Sequence, residues 1–146
     1  MPPTTFPLDG SEWAMLREQV ATIQALATRK QGATPFDQSL DDLPILQRLL
    51  DARLWDESQE DQYRALSSAF GNVIAKVLGF EWVAETDGRG ARQPALVLKA
   101  TKALVVQPQK LILDRVRRGE ELDLHALYEN IKAQVAKTKI LPNKLP

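Results

Sequence analysis

The chain has 146 residues, is 44% hydrophobic and carries nineteen basic and nineteen acidic side chains, which fits one globular domain with a sizeable core. The zero formal net charge disfavours a dedicated nucleic-acid or polybasic membrane binder, and the lack of cysteine excludes disulfides, thiol nucleophiles and cysteine-ligated metals. A single histidine, His125, cannot build a multi-histidine metal site, so we expect no metal and no cofactor.

Residues 1–10 contain three prolines and are predicted to form a flexible arm without regular structure. This segment lacks the basic and apolar regions of a secretory signal, and no apolar run in the chain approaches the ~18 residues of a membrane helix. We therefore expect a cytoplasmic protein without a membrane partner. A single domain is predicted over residues 11–138, followed by a frayed tail at 139–146.

Three helices are predicted in the first half of the domain, because apolar residues recur there at steps of three and four. The first helix has Ser11 as its N-cap, and the second has Asp42 as its cap. The third begins near a capping box formed by Ser58 and Asp61. It ends at Gly79, because glycine is the usual residue of a left-handed C-cap.

The apolar period then changes from about 3.6 residues to 2, which indicates strands. Residues 80–85, 95–100 and 103–106 are predicted to form a three-stranded antiparallel meander. A short helix that starts at Pro108 follows, and Asp123 caps a final helix. N-terminal helices, a small sheet and two C-terminal helices together indicate an α+β fold.

Several short motifs in the second half of the chain resemble those of a known family. They are Phe70-Gly71-Asn72, Leu78-Gly79-Phe80, Glu81-Trp82-Val83, Pro94-Ala95-Leu96, Arg115-Val116-Arg117-Arg118-Gly119-Glu120 and Leu127-Tyr128. Through these motifs, residues 46–135 resemble the bacterial domain-of-unknown-function family 3806, which is uncharacterised. The resemblance supports the predicted fold and implies no catalytic residues. By analogy, small proteins of this general kind resemble the immunity partners of bacterial toxins.

Charge is segregated along the chain although it balances overall. Residues 37–61 contain eight acidic side chains and two arginines, whereas residues 87–118 contain eight basic side chains and two aspartates. The two segments either neutralise each other in the fold or face solvent as separate steering surfaces. The sequence leaves both arrangements open.

The main functional hypothesis is a non-catalytic domain that binds another protein, for example a toxin, in an immunity or regulatory role in a bacterium. No enzyme activity is predicted, because the sequence has no nucleophile elbow, no phosphate-binding glycine loop and no well-placed pair of carboxylates. Exposed aromatic and acidic side chains are the candidate contacts. They are Trp13, Asp41, Asp42, Trp55, Asp56, Glu57 and Glu60.

The alternative hypothesis is a small-molecule or anion-binding domain, which could also have weak enzymatic activity. In this case the basic face of residues 87–118 would bind a phosphate or carboxylate. The candidate anion contacts are Lys99, Lys110, Arg115 and Arg118. Nucleic acid is disfavoured, because no aromatic side chain that could stack on bases lies between Lys99 and Arg118. His125 is expected to be an ordinary surface residue.

Overall fold

The protein has the predicted α+β class. The structure is a computed structural model that describes residues 4–56, 58–87 and 89–143, and within these ranges it has five helices and one four-stranded antiparallel sheet. The strands are β1 (Thr4–Phe6), β2 (Phe80–Thr86), β3 (Arg92–Leu98) and β4 (Val105–Val106). The helices are α1 (Gly10–Gln31), α2 (Asp42–Asp51), α3 (Glu60–Leu78), α4 (Pro108–Arg117) and α5 (Leu124–Asn143).

The sheet has one strand more than the predicted three. Its order is β1-β2-β3-β4, and the additional strand β1 pairs with β2 so that Phe6 lies opposite Ala84. Strand β1 lies within residues 1–10, where the prolines predict no regular structure. Two of those prolines, Pro2 and Pro3, lie outside the described residues. Strand β3 begins three residues earlier than predicted, because the polar residues Arg92 and Gln93 pair with β2.

The helix caps agree with the sequence prediction in part. The Asp123 carboxylate accepts the backbone N–H of Ala126 at 3.1 Å, and Gly79 ends α3 in the left-handed conformation with φ 78°. Both caps are confirmed. Helix α2 begins at Asp42, so the cap position belongs to Asp41. Helix α5 continues through the backbone of Asn143, beyond the predicted end of the domain at residue 138.

Besides the cap of α2, two further predicted N-caps are wrong. The N-cap of α1 is Asp9, whose carboxylate accepts the Glu12 N–H at 2.8 Å while the Glu12 carboxylate accepts the Asp9 N–H at 2.9 Å. Ser11 instead donates its hydroxyl to the same Asp9 carboxylate at 2.8 Å. Helix α3 follows Gln59 and has no side-chain cap, because Ser58 bonds Asp56 in the preceding turn.

Helix α3 is the centre of the core, with side chains buried around most of its circumference between residues 65 and 74. Trp82 of β2 packs across it and is only 8% exposed. The Trp82 indole N–H donates to the Asn72 side chain at 2.8 Å. A Cβ atom on Gly71 would lie 2.5 Å from two atoms of the Trp82 ring and 3.2 Å from Pro108. The absence of a side chain at Gly71 therefore lets the sheet and α4 approach α3.

The opposite face of the sheet carries a small apolar cluster of its own. Val83, Ala95 and Val97 are buried there, and Val105 packs against them. Polar pairs border this cluster: the Lys102 ammonium pairs with the Glu81 carboxylate, and the Gln107 amide donates to the Glu85 carboxylate. Long polar side chains thus shield the valines, and no helix side chain of the described residues joins the cluster.

The ion pair between Arg92 and Glu12 joins the start of β3 to the start of α1. The Arg92 guanidinium donates to the Glu12 carboxylate at 2.7 Å and to the Pro7 carbonyl at 3.1 Å. The Arg92 guanidinium and the Asp9 N–H together hold the pKa of Glu12 below its usual value. Because the folded-state pKa is lowered, this stabilisation is present above the unfolded-state pKa and is lost as the pH falls through the folded-state value.

We therefore expect Glu12→Gln to lower the free energy of unfolding by about 1 kcal/mol near neutral pH, and by less at about pH 3. Urea unfolding at the two pH values measures both differences. Glu18→Gln, an exposed carboxylate on the same helix, is the matched control. A Glu12→Gln effect that stays constant between the two pH values would contradict this account of the ion pair.

Candidate functional site

A cleft of about 1120 Å³ opens between the end of α2, the loop that leads into α3 and the loop that follows α4. We call it the acidic cleft. Four carboxylates line it, and Arg53 is the one cation among the lining residues that the structure describes. The carboxylates are those of Asp51, Asp56, Glu120 and Glu121. The cleft therefore presents an excess of negative charge.

Two aromatic rings line the acidic cleft, together with the aliphatic side chains of Leu50, Val116 and Leu122. Trp55 and Tyr63 are both half-buried, and their rings meet edge to face with centroids 5.4 Å apart and planes at 80°. The Tyr63 hydroxyl donates to the Trp55 carbonyl at 2.9 Å. These contacts fix the Trp55 ring before any ligand binds, so little conformational entropy is lost on binding.

The carboxylates of the acidic cleft are held in different ways. The Asp56 carboxylate accepts the Ser58 hydroxyl at 2.5 Å and the Ser58 N–H at 2.9 Å, and these bonds lower the pKa of Asp56. Asp51 accepts the Gln47 amide at 3.0 Å, and Glu120 pairs with Arg118 at 2.7 Å. Glu121 is exposed. Three of the four carboxylates thus have a hydrogen-bond or ion-pair partner among the described residues.

A glutamine joins the two walls of the acidic cleft. The Gln47 amide donates to the Leu122 carbonyl at 2.9 Å, and its oxygen accepts the Leu124 N–H at 2.8 Å. These bonds hold the loop after α4 against α2, although more than seventy residues separate the partners. They place Glu120 and Glu121 across from Asp51.

Of the predicted protein contacts that the structure describes, Trp55 and Asp56 line the acidic cleft. Glu57 lies outside the described residues. Trp13 is 39% exposed on α1, and Asp41 is exposed at the start of α2, so both face solvent away from the cleft.

Two further predicted contacts serve the fold. Asp42 is only 4% exposed, so its carboxylate cannot reach a partner, which corrects the prediction for this residue. It accepts the backbone N–H groups of Asp37 at 3.2 Å and Gln38 at 2.8 Å. Glu60 pairs with Arg117 at 2.7 Å and with Arg64 at 3.1 Å. The Asp42 carboxylate therefore stabilises the loop before α2, and the Glu60 carboxylate joins α3 to α4.

The predicted anion contacts gather in a second depression. This groove of about 380 Å³ lies among α4, α5 and the β4 edge of the sheet, and we call it the basic groove. Lys110, Arg115 and Arg118 line it, whereas Lys99 is exposed just after β3 and does not. Among the described residues, one ion pair, Glu60–Arg117, joins the two charged segments. Asp51 and Asp56 of the acidic segment line the acidic cleft, and three cations of the basic segment line the basic groove.

His125 occupies the surface, as predicted. Its side chain is 70% exposed and lies 3.7 Å from the Glu129 carboxylate. In the part of the chain that the structure describes, no three His, Asp or Glu side chains cluster so as to hold a metal ion. Nor does any described helix combine the length and the apolar character that a membrane span requires.

Comparison with known proteins agrees with the resemblance drawn from the motifs. No curated protein matches the sequence. A solved structure from Bacteroides thetaiotaomicron VPI-5482 shares the fold, with a TM-score of 0.79 and 19% sequence identity. That match covers 90% of this chain and 47% of the other, so this chain spans about half the length of that protein. The family model described as Domain of unknown function (DUF3806) matches residues 42–128, and the chain therefore belongs to the DUF3806 family.

Proposed function

We propose that this domain binds another protein, and that the acidic cleft receives a basic segment of that partner. One observation carries the proposal: four carboxylates surround an aromatic pair whose geometry the fold has already fixed. A guanidinium or ammonium group that enters the cleft meets opposite charge at its walls and the aromatic rings at its base.

The size of the acidic cleft supports a protein ligand. Small-molecule pockets usually enclose about 300–1,000 Å³ and bury most of their ligand. At about 1120 Å³ this cleft is larger and open, and its walls come from three separate segments of the chain. A tryptophan or tyrosine at the centre of such a surface is the residue type that most often dominates the binding energy.

We propose that the domain acts in a bacterial cytoplasm as a toxin-neutralising (immunity) or regulatory protein. Such a protein works by occupying a charged surface of its partner, which requires complementary charge and no catalytic groups. The acidic cleft supplies that charge.

The test is affinity capture from a native cell lysate at low and high salt, followed by mass spectrometry and by measurement of the dissociation constant for the captured protein. The cleft variants are Trp55→Ala and the double variant Asp51→Lys/Glu121→Lys. The matched control reverses two exposed carboxylates outside the cleft, Glu18→Lys/Glu129→Lys. Circular dichroism establishes that each variant is folded.

We expect the wild type and the control to capture one protein in stoichiometric amount, and capture to weaken at high salt. Trp55→Ala should weaken binding about 30-fold, because truncation of a central aromatic residue removes about 2 kcal/mol. The double lysine variant should abolish capture. Undiminished capture by both folded cleft variants would refute the proposal, and so would failure of the wild type to capture any protein.

A further inference from the structure

We propose that the basic groove binds an amphipathic organic anion, of the class represented by an alkyl carboxylate. This site is separate from the acidic cleft. The end of α4 divides the two depressions, since Val116 and Gly119 line the cleft whereas Arg115 and Arg118 line the groove.

The lining of the basic groove is mixed, and its apolar part comes from three elements. Aliphatic side chains come from β4, from the middle of α4 and from the inner face of α5. They are Val105, Val106, Leu111, Leu127 and Ile131. Val105 and Leu111 are half-buried, so they keep surface available for an alkyl chain. Contact with such a chain would remove apolar area from water on both sides.

The charged side chains that line the basic groove favour an anionic ligand. Lys110 and Arg115 have no carboxylate partner among the described residues. One guanidinium nitrogen of Arg115 donates to the Leu111 carbonyl at 3.0 Å, which holds the side chain along α4. The third cation, Arg118, is already paired with Glu120.

Two carboxylates also line the basic groove, and both have partners. Glu85 accepts the Gln107 amide, and Asp114 lies 4.0 Å from the Arg117 guanidinium. The Gln107 amide is neutral and leaves the Glu85 charge in place. With the Asp114–Arg117 and Arg118–Glu120 pairs set aside, the lining keeps Lys110 and Arg115 against Glu85, a net charge of +1. Lys110 and Arg115 lie five residues apart on α4, about 1.4 turns, and Leu111 follows Lys110. A ligand that contacts all three side chains needs an anionic head and an apolar body.

The volume of the groove fits a single small ligand. At about 380 Å³ it lies within the usual range for such pockets, and it is much smaller than the acidic cleft. Inorganic phosphate would leave the aliphatic walls uncovered, whereas a neutral alcohol would leave the two cations without a counter-charge.

The test uses sodium decanoate as the probe, with decanol and inorganic phosphate as comparison ligands, and isothermal titration calorimetry as the measurement. The variant Lys110→Gln/Arg115→Gln removes both unpaired cations. The matched control Arg89→Gln/Lys99→Gln removes two exposed basic residues outside the groove. Amide chemical shifts of the wild type locate the ligand.

We expect decanoate to bind with one-to-one stoichiometry and to shift the resonances of α4, α5 and β4. The Lys110→Gln/Arg115→Gln variant should bind it at least about tenfold more weakly, because a charge-assisted hydrogen bond contributes about 1.5–3 kcal/mol. The control should bind decanoate as the wild type does. Absence of saturable decanoate binding would overturn the proposal. Equal binding of decanol or phosphate, or an equal loss in the control, would overturn it too.

Discussion

Replacing Gly71 with alanine is expected to lower the free energy of unfolding by about 2 kcal/mol, although alanine in a helix interior normally stabilises by about 1 kcal/mol relative to glycine. The added methyl group would lie 2.5 Å from two atoms of the Trp82 ring, well inside van der Waals contact. The ring cannot simply rotate away, because its N–H is bonded to Asn72, the next residue of α3, and the Trp82 side chain is only 8% exposed. Overpacking at this junction therefore outweighs the gain in helix propensity.

A double-mutant cycle with Trp82→Phe tests the cause of this effect. Phenylalanine lacks the two ring atoms that the new methyl group would meet, so Gly71→Ala should destabilise the Trp82→Phe protein much less than the wild type. Urea unfolding of the four proteins gives the coupling energy directly. An equal effect of Gly71→Ala in both backgrounds would show that the contact with Trp82 is not responsible.

Replacing Asp42 with alanine is expected to destabilise the protein by about 2 kcal/mol, because the backbone N–H groups of Asp37 and Gln38 lose their acceptor. The loop before α2 depends on these bonds, and Gln38 adopts a positive φ of 64° there. Asp41→Ala is the natural control, since this neighbouring carboxylate is exposed and makes no cap hydrogen bond. Its effect should be much smaller.

The pH dependence at Asp42 should be opposite to that at Glu12. Burial and the neighbouring Asp37 carboxylate raise the pKa of Asp42, and together they outweigh the two backbone hydrogen bonds, which lower it. Because the folded-state pKa is raised, the contribution of Asp42 is complete below the unfolded-state pKa and declines as the pH rises through the folded-state value. The destabilisation by Asp42→Ala should therefore be larger at about pH 3 than at about pH 7. A destabilisation that increases with pH would contradict this balance.

The best-predicted parts of the fold are those that local sequence determines. Helix α3 combines a long apolar period with a C-terminal glycine, so both its existence and its end at Gly79 are confirmed. Strand β1 is different, because three residues are too few to show a period. Its partner lies far along the chain, and only that pairing makes it a strand. The choice between Asp9 and Ser11 as the N-cap of α1 depends on which of them exchanges hydrogen bonds with Glu12, and Asp9 does so.

Only one wall of the acidic cleft could be predicted from the sequence. Negative charge in residues 37–61 and the aromatic ring of Trp55 pointed to the wall that α2 and the following loop provide. Nothing in the local sequence joins Glu120 and Glu121 to that wall, because the hydrogen bonds of Gln47 bring them there in the folded chain. Burial of Asp42 was missed for the same reason: a charged side chain is normally exposed, and the loop that surrounds it cannot be deduced from composition.

The pairing of β1 with β2 has a consequence for biosynthesis. Phe6 pairs with Ala84, so the ribosome must add 77 further residues, 7–83, before the partner of β1 begins to emerge. At about 5–20 residues per second, β1 waits roughly 4–15 s, whereas β2 and β3 can pair as soon as both are made. Strand β1 thus waits longest for its partner, because only five residues separate β2 from β3 and six separate β3 from β4. Until β1 pairs, the outer edge of β2 stays open to strands of other nascent chains.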